Sequence, residues 1–279
     1  MEALGIITLA LILANLLVSY KGFTDPLFFS NNSFEVDGIL INKQYKRLIT
    51  SGFLHTGWIH FVFNMASLYV FSEGFEDHIG PLNYLLIYFA SLLGGNLFSL
   101  YIHRNHGDYS AVGASGAVCG IIFASIGLFP DMELGFFGIP YYIPAWAYAI
   151  LFVLYSIYGI RSKNDHIGHE AHLGGALIGL LTALALYPSS LSENYLTVLI
   201  IVIPSFTFIF LIIKRPELLL INGASMLKKT PVYVTKDEKY FTEKKNKQEE
   251  LDRLLEKIHQ KGIDSLSKKE RDTLDSLSK

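Results

Sequence analysis

The stretch FLHTGWIHFVFNMASLYVF, residues 53–71, is apolar over nearly the whole length that an α-helix needs to cross a bilayer. Six further runs of similar character lie near 3–20, 81–102, 111–129, 140–160, 167–187 and 194–213. These runs are too long and continuous for barrel strands, and lipid leaves helices as the other spanning structure. We therefore predict an all-α, polytopic membrane protein, a helical bundle with about seven transmembrane helices.

Charge is distributed very unevenly along the 279 residues. All 23 Lys and Arg lie in the connections after the first, third and fifth spans or beyond residue 213. In a seven-span chain these segments share one side of the membrane, which the positive-inside rule places in the cytoplasm. Glu2, where a signal peptide carries basic residues, favours a first helix that is retained.

Polar side chains interrupt the stretch quoted above. His60 and Asn64 are four residues apart and share one helix face, and His55 lies near the membrane edge. Polar residues within spans are costly, and each is a candidate functional residue. The alternative is that they hydrogen-bond to neighbouring helices as packing contacts, and the stretch alone does not decide between the two.

The fourth span opens with AVGASGAVCG, residues 111–120, which places Ser115 in the first helical turn. The unpaired N–H groups and the positive end of the helix dipole favour a developing oxyanion there. Gly116 and Gly120 favour another interpretation, in which small residues only allow close helix packing. For this motif in isolation, packing is the simpler explanation.

The sixth span begins with IGHEAHLGGALIG, residues 167–179. Its His172, Gly175 and Gly179 share one helix face, so the glycines allow another helix to bring its side chains close to the imidazole. Together the three spans supply a hydroxyl, an imidazole and two side-chain donors, which are the parts that acyl transfer needs.

A metal site is the alternative for the same segment. His166, His169 and His172 recur every three residues, as ligands on one helix end could. The zincin spacing His-Glu-x-x-His is absent, because the glutamate lies in His-Glu-x-His. We therefore expect neither a metal nor another cofactor.

These motifs resemble those of the rhomboid family of intramembrane serine proteases. HTGWIHFVFN is similar to the family's His-x4-His-x3-Asn signature, GASG to its Gly-x-Ser-Gly motif, and AHLGGALIG to its Ala-His-x2-Gly-x3-Gly motif. The long first loop with YKRLITSGFLH, together with Glu76 and Gly80, extends the resemblance over residues 1–187. The resemblance implies a bacterial-type rhomboid, with a six-helix core, a C-terminal seventh helix and a charged helical tail.

The resemblance also implies a role for each motif residue. Ser115 would be the nucleophile, and His172 would be the general base and acid of a dyad. His60 and Asn64 would stabilise the oxyanion together with the Ser115 backbone N–H. Glu76 would be a structural hydrogen-bond partner. Six further residues would support the site: Gly113, Gly116, Gly175, Gly179, His55 and His169.

Two features depart from the family pattern. Many relatives carry an aromatic ring four residues after the nucleophile, whereas this chain has Cys119, its single cysteine. Ring support for His172 must then come from another residue, such as a neighbouring Phe. The family also has this end of the bundle facing outward, so the sidedness stays open between the family pattern and the charge distribution. The conflict would disappear if the last apolar run did not span.

The organisation that we predict has three parts: a catalytic core at 1–190, an additional transmembrane helix at 191–214, and a charged soluble helical tail at 215–279. In the tail, an i, i+3, i+4, i+7 pattern predicts an amphipathic helix that stops at Gly262. The residues of this pattern are Leu251, Leu254, Leu255 and Ile258. Ser267 and Glu270 have the spacing of a capping box for a second short helix.

The function expected from the resemblance is that of an intramembrane serine endopeptidase in the bacterial cell (inner) membrane. Its partners would be transmembrane protein substrates and the lipid bilayer, without nucleic acid. A catalytically silent rhomboid-like factor for membrane-protein binding and quality control is the alternative, although such proteins lose the serine or histidine that this chain keeps. A transporter is less consistent with the sequence, since no pair of interrupted helices in related halves is present.

Overall fold

Helices dominate the computed structural model, which describes residues 5–135, 142–162, 168–214, 235–261, 265–267, 270–271 and 273–274. In chain order they are α1 (Ile6–Thr24), α2 (Pro26–Asn32), α3 (Val36–Leu40), α4 (Arg47–Thr50), α5 (Trp58–Ser72), α6 (Phe75–Ile79), α7 (Pro81–His103), α8 (Ser115–Leu128), α9 (Ala145–Ser162), α10 (His169–Leu186), α11 (Ser189–Glu193), α12 (Tyr195–Lys214) and α13 (Lys236–Lys261). Short antiparallel pairs join β1 (Phe34–Glu35) to β2 (Ser110–Ala111) and β3 (Glu133–Gly135) to β4 (Tyr142–Pro144). Strands of two or three residues are too short for a pattern of alternation to predict them.

Each predicted span coincides with one helix: α1, α5, α7, α8, α9, α10 and α12. By length and hydropathy alone, α1, α7 and α10 could each cross a membrane, and the other four hold shorter apolar stretches. The helix α8 is shorter than the predicted run 111–129, since it begins at Ser115 and has 14 residues. At 1.5 Å per residue it is about 21 Å long, against about 30 Å for the hydrocarbon layer. A helix of this length leaves room for its first residue to lie within the depth of the bilayer.

The core of the bundle is built around α8, which packs between α7 and α10 and is buried at every position from 116 to 127. Glycines allow this packing, because a Cβ on Gly179 would lie against the backbone of Gly120. A Cβ on Gly95 of α7 would likewise lie against the carbonyl oxygen of Ala171. The close approach that the glycine-faced sixth span predicts is therefore confirmed.

The first loop, residues 25–57, folds into short helices around the buried side chain of Arg47. One of its terminal nitrogens donates to the carbonyl oxygens of Ser30 and Ser33 at 2.6 and 2.7 Å. The β1–β2 pair, in which Glu35 is opposite Ser110, then joins this loop to the segment that leads into α8. The first loop thus braces the start of the helix that carries Ser115.

Glu76 is the hydrogen-bond partner that the resemblance implies. Its buried carboxylate accepts hydrogen bonds from the backbone N–H groups of Ile7 and Thr8 at 2.9 and 2.8 Å, and from the Thr8 hydroxyl at 2.7 Å. These donors belong to the first turn of α1, where N–H groups have no partner within the helix. The carboxylate therefore caps α1 from α6, at the end of α5 opposite His60.

The tail begins on the first loop. The Lys236 ammonium donates to Glu35 at 2.7 Å, and its backbone N–H donates to Asp37 at 2.6 Å. The start of α13 therefore lies at the end of the bundle that carries the first loop, as seven spans require. The helix α12 is continuous from Tyr195 to Lys214 through Pro204.

The two tail predictions that fall on described residues agree with the structure. The helix α13 carries the amphipathic pattern and ends at Lys261, one residue before Gly262, which lies outside the described residues. The capping box is confirmed, since Ser267 N–H donates to the Glu270 carboxylate at 2.8 Å and Glu270 N–H donates to the Ser267 hydroxyl at 3.3 Å.

Candidate active site

Ser115 lies at the N-terminus of α8, after a turn that requires glycine. Gly113 has a φ of 138°, which L side chains rarely adopt, and its N–H donates to the Ser51 carbonyl at 3.0 Å. A Cβ on Gly113 would lie 3.0 Å from His60 Nε2 and 3.5 Å from Ser115 Oγ. The missing side chain therefore leaves a small space between the imidazole and the hydroxyl.

His172 lies in the first turn of α10, and its Nε2 is 2.6 Å from Ser115 Oγ. The two residues are 57 positions apart in the chain, and the α8–α10 contact brings them together. On that contact surface, a Cβ on Gly116 would lie 3.2 Å from the Ala171 carbonyl oxygen. A neutral imidazole at this distance can accept the hydroxyl proton on Nε2 while Nδ1 keeps its own hydrogen.

The ring beside His172 comes from α9. The Phe152 and His172 ring centroids are 6.4 Å apart, with an interplanar angle of 33°. Cys119 is buried in α8, one turn after Ser115, and leaves this ring position to another helix. The expectation that a neighbouring Phe supports His172 in place of a residue at 119 agrees with this geometry.

Thr56, two residues before the start of α5, holds the ring of His60. The Thr56 N–H lies 3.4 Å and the Thr56 hydroxyl 3.2 Å from His60 Nδ1. A backbone N–H can only donate, so this contact favours the tautomer whose hydrogen is on Nε2. Because His60 Nε2 faces the space at Gly113, that hydrogen points toward the region beside Ser115 Oγ.

Asn64 lies one turn further along α5 and is buried. Its Nδ2 donates to the carbonyl oxygen of His60 in the same helix at 2.9 Å. An amide nitrogen carries two hydrogens, so this contact leaves one for another acceptor. The structure thus places Asn64 on the face of α5 that carries His60.

His55 and His169 are both fully buried, and their rings lie edge-on to those of His60 and His172, respectively. The Ser19 hydroxyl donates to the Phe53 carbonyl at 2.9 Å, so it accepts from His55 Nδ1 at 2.8 Å. The His55 ring then meets His60 edge-on, with centroids 4.9 Å apart. His169 packs against α9, where a Cβ on Gly159 would lie on its ring.

The metal interpretation gains no support from these positions. In the ranges that the structure describes, no group of three or more His, Cys, Asp or Glu is placed to hold a metal ion. His172 is directed at Ser115 and His169 at α9. His166 lies outside the described residues.

Comparison with known proteins now gives the family of this bundle. Residues 42–189, more than half of the chain, match the rhomboid domain family. The chain belongs to the rhomboid family. It is accordingly an integral, multi-pass membrane protein.

Three relatives show the range of this rhomboid's similarities. It is 31% identical to RHOMBOID-like protein 12, mitochondrial, of Arabidopsis thaliana, over 63% of this chain and 56% of that protein. It is 28% identical to Rhomboid protease AarA of Providencia stuartii, over 64% of this chain and 72% of that protein. It is 29% identical to Inactive RHOMBOID-like protein 8 of Arabidopsis thaliana, over 48% of this chain and 36% of that protein.

The rhomboid domain does not account for the whole chain. Residues 234–279 match a second family, described as a family of unknown function (DUF6576). The chain also spans about half the length of the first curated relative that it matches.

Sequence reasoning missed two residues that shape this site, Thr56 and Phe152. Thr56 had a signal, because it follows His55 in the motif and lies four residues before His60. Phe152 had none, since it is one of several aromatic residues in α9 and only the packing of α9 selects it.

Proposed function

We propose that this rhomboid is an intramembrane serine endopeptidase that cleaves transmembrane segments of other membrane proteins with a Ser115–His172 dyad. The observation that carries the proposal is the 2.6 Å separation of His172 Nε2 and Ser115 Oγ inside a membrane bundle. A relative named Rhomboid protease AarA supports it at the level of the family.

In the first half-reaction, Ser115 Oγ attacks the scissile carbonyl carbon while its proton moves to His172 Nε2. The carbonyl oxygen becomes an oxyanion in the space beside Gly113, where it accepts hydrogen bonds from His60 Nε2–H and the Ser115 backbone N–H. The second amide hydrogen of Asn64, which its bond to the His60 carbonyl leaves free, is a further donor to the oxyanion. The C–N bond then breaks, and the leaving amine takes the proton from His172.

In the second half-reaction, a water attacks the acyl-Ser115 ester and gives its proton to His172. The same donors receive the oxyanion. The ester C–O bond then breaks, Ser115 recovers its proton from His172, and the new carboxyl terminus leaves.

The position of Ser115 favours a substrate segment that can unwind. In an α-helix the backbone carbonyls are hydrogen-bonded along the chain, so a nucleophile reaches only unwound backbone. The helix α8 is too short to cross the hydrocarbon layer, which allows Ser115 to meet a segment within the membrane. We propose that the cut lies near the bilayer edge and that the enzyme resides in a bacterial cell membrane.

Purified protein and a model transmembrane substrate test this function. Ser115→Ala and His172→Ala are each expected to reduce cleavage by about 10³-fold or more, since dyad members act as one unit. Ser125→Ala is the matched control, because that buried hydroxyl of α8 bonds only within its own helix among the contacts that the structure describes. Cleavage that survives Ser115→Ala would refute the nucleophile.

A catalytically silent rhomboid that binds membrane proteins is the second candidate. The observation that favours it is the similarity to a relative named inactive. Labelling by a fluorophosphonate separates the two, because a working dyad reacts with the probe at Ser115 and a silent protein does not. Absence of labelling in folded wild-type protein, with retained binding of membrane segments, would favour this candidate.

A further inference from the structure

Two buried titratable side chains close to the dyad have no part in the proposed chemistry. They are His103, the last residue of α7, and Glu170, the second residue of α10. His103 Nε2 lies 3.2 Å from Glu170 Oε1, and the two side chains are 14% and 10% exposed. Ionisable groups at such burial need a partner, and these two provide one for each other.

Tyr109 covers the pair from the segment that leads to Ser115. Its ring lies flat on the His103 ring, with centroids 3.5 Å apart and an interplanar angle of 6°. Burial and the nearby Glu170 carboxylate raise the pKa of the Tyr109 phenol to about 12, so the ring is a neutral cover. The Tyr109 carbonyl accepts from Val36 N–H at 3.2 Å, which also ties this segment to the first loop.

The pair is connected to both segments of the chain that carry the dyad. Glu170 is two residues before His172, in the first turn of the same helix. Tyr109 is six residues before Ser115 and reaches it through β2. The glycine contacts between α8 and α10 begin only at Gly116 and Ala171. The Glu170 side chain therefore holds the first turn of α10 to α7, in addition to the backbone contact between Gly95 and Ala171.

We propose that the His103–Glu170 pair, covered by Tyr109, is a clamp that sets the separation of Ser115 and His172. His103 and Glu170 are positioning residues, since neither touches the reacting atoms. The clamp rests on the proposed function for its role in catalysis, but its geometric effect can be measured without a substrate.

A simpler role for Glu170 is to stabilise α10 as an acidic residue in the first turn. The His103→Phe variant separates the roles, because it keeps a ring against Tyr109 and leaves the carboxylate at the helix N-terminus. His103→Phe removes the bond between residue 103 and Glu170 on which the clamp depends, whereas the interaction of the Glu170 carboxylate with the dipole of α10 remains. Glu170→Gln is the conservative variant, because its amide oxygen still accepts from His103.

The first experiment reads the dyad geometry through a thiol. In a Cys119→Ala background, Ser115→Cys places a thiol beside His172, and the rate of iodoacetamide alkylation against pH reports thiolate formation. His103→Phe is expected to lower the rate at neutral pH about tenfold, as a displacement of up to 1 Å costs up to about 100-fold in oriented reactions. Glu170→Gln is expected to keep most of the rate.

Glu76→Gln is the control for stability, because it weakens a buried carboxylate contact at the far end of the bundle. It is expected to lower the thermal midpoint without changing the alkylation profile. If His103→Phe lowers the midpoint and leaves the profile unchanged, the pair is only structural and the clamp is refuted.

Substrate cleavage then tests the catalytic consequence. The clamp predicts that His103→Phe lowers kcat with little change in KM, and that Glu170→Ala combined with His103→Phe costs no more than either alone. Wild-type protein that fails to cleave would refute the proposed function, while the thiol experiment would still decide on the clamp.

Discussion

Gly175 of α10 lies directly on Gly116 of α8: a Cβ on Gly175 would meet the Gly116 carbonyl oxygen and come within 3.0 Å of its Cα. The contact is one residue from Ser115 and three from His172. This one backbone contact therefore contributes both to helix packing and to the position of the dyad.

Gly175→Ala is expected to force α8 and α10 apart. The added methyl meets backbone, which cannot move aside as a flexible side chain can, so we expect a loss of about 1–3 kcal/mol in stability. Fluorophosphonate labelling at Ser115 should fall at least tenfold, since oriented reactions are sensitive to small displacements. Gly57→Ala is the matched control, because a Cβ there has no heavy atom within 4 Å; equal effects of the two variants would contradict the prediction.

Glu76→Gln is expected to destabilise the bundle without disabling the site. An amide has one acceptor oxygen and no charge, and hydrogen bonds to charged groups contribute about 1.5–3 kcal/mol. The thermal midpoint should fall, whereas cleavage per folded molecule should stay close to wild type. Glu73→Gln, at an exposed position three residues earlier, should change neither quantity.

Thr56→Val is expected to reduce cleavage several-fold. The change removes the hydroxyl at His60 Nδ1 but keeps the longer contact from the Thr56 backbone N–H. The tautomer of His60 that carries its hydrogen on Nε2 is then favoured less strongly. Nitrogen chemical shifts of His60 should report the loss of the single tautomer, and Thr56→Ser should restore it. Thr50→Val is the control, since that hydroxyl of the first loop donates to Asn32 at 2.9 Å; an unchanged His60 spectrum in Thr56→Val would contradict the assignment.

Low pH is expected to destabilise the end of the tail, where Glu270 contacts Lys257 and Ser267. Lys257 and the Ser267 N–H hold the pKa of Glu270 at about 2, below the usual value of about 4.3. Because this carboxyl has a lower pKa in the folded tail than in the unfolded chain, its ionised form stabilises the folded tail at pH values above about 4.3. That stabilisation is lost as the pH falls from about 4.3 through about 2. Hydrogen exchange of the tail in the full chain should rise over this interval, and Glu270→Gln should remove the transition. A transition that persists in Glu270→Gln would assign it to another group.

The first loop and the tail are expected to face the same compartment. In the Cys119→Ala background, Lys43→Cys and Lys247→Cys should react alike with an impermeant maleimide, and Asp77→Cys should react oppositely. The positive-inside rule predicts protection of the two lysine positions in intact cells. Reaction of Lys43→Cys and protection of Asp77→Cys would instead give the outward-facing site that the family pattern implies.

The sequence predicts those parts of the site that lie within single helices. His60 with Asn64, and His172 with Gly175 and Gly179, follow from helical period alone. The start of α8 was displaced by four residues because Ala111 pairs with β1 and Gly113 adopts a positive φ. The pattern of apolar residues predicts neither the strand pairing of Ala111 nor the positive φ of Gly113.

Side-chain contacts between different helices could not be predicted from the sequence, for a physical reason. The Phe152–His172 and His103–Glu170 contacts depend on the rotation and depth of one helix against another. These quantities are set by packing over the whole interface and leave no local spacing in the chain. The Ser115–His172 contact itself was predictable only because the motifs resemble a known family.

The anchoring of α13 on the first loop has a consequence for exchanging parts between relatives. Lys236 donates hydrogen bonds to two acidic residues, Glu35 and Asp37. Glu35 of β1 is in turn opposite Ser110, the first residue of the strand that leads to Ser115. A tail grafted from another protein keeps this attachment only if the acceptor's loop carries the matching acids. Loop and tail therefore form one transferable unit, although Lys236 and Glu35 are 201 positions apart in the chain.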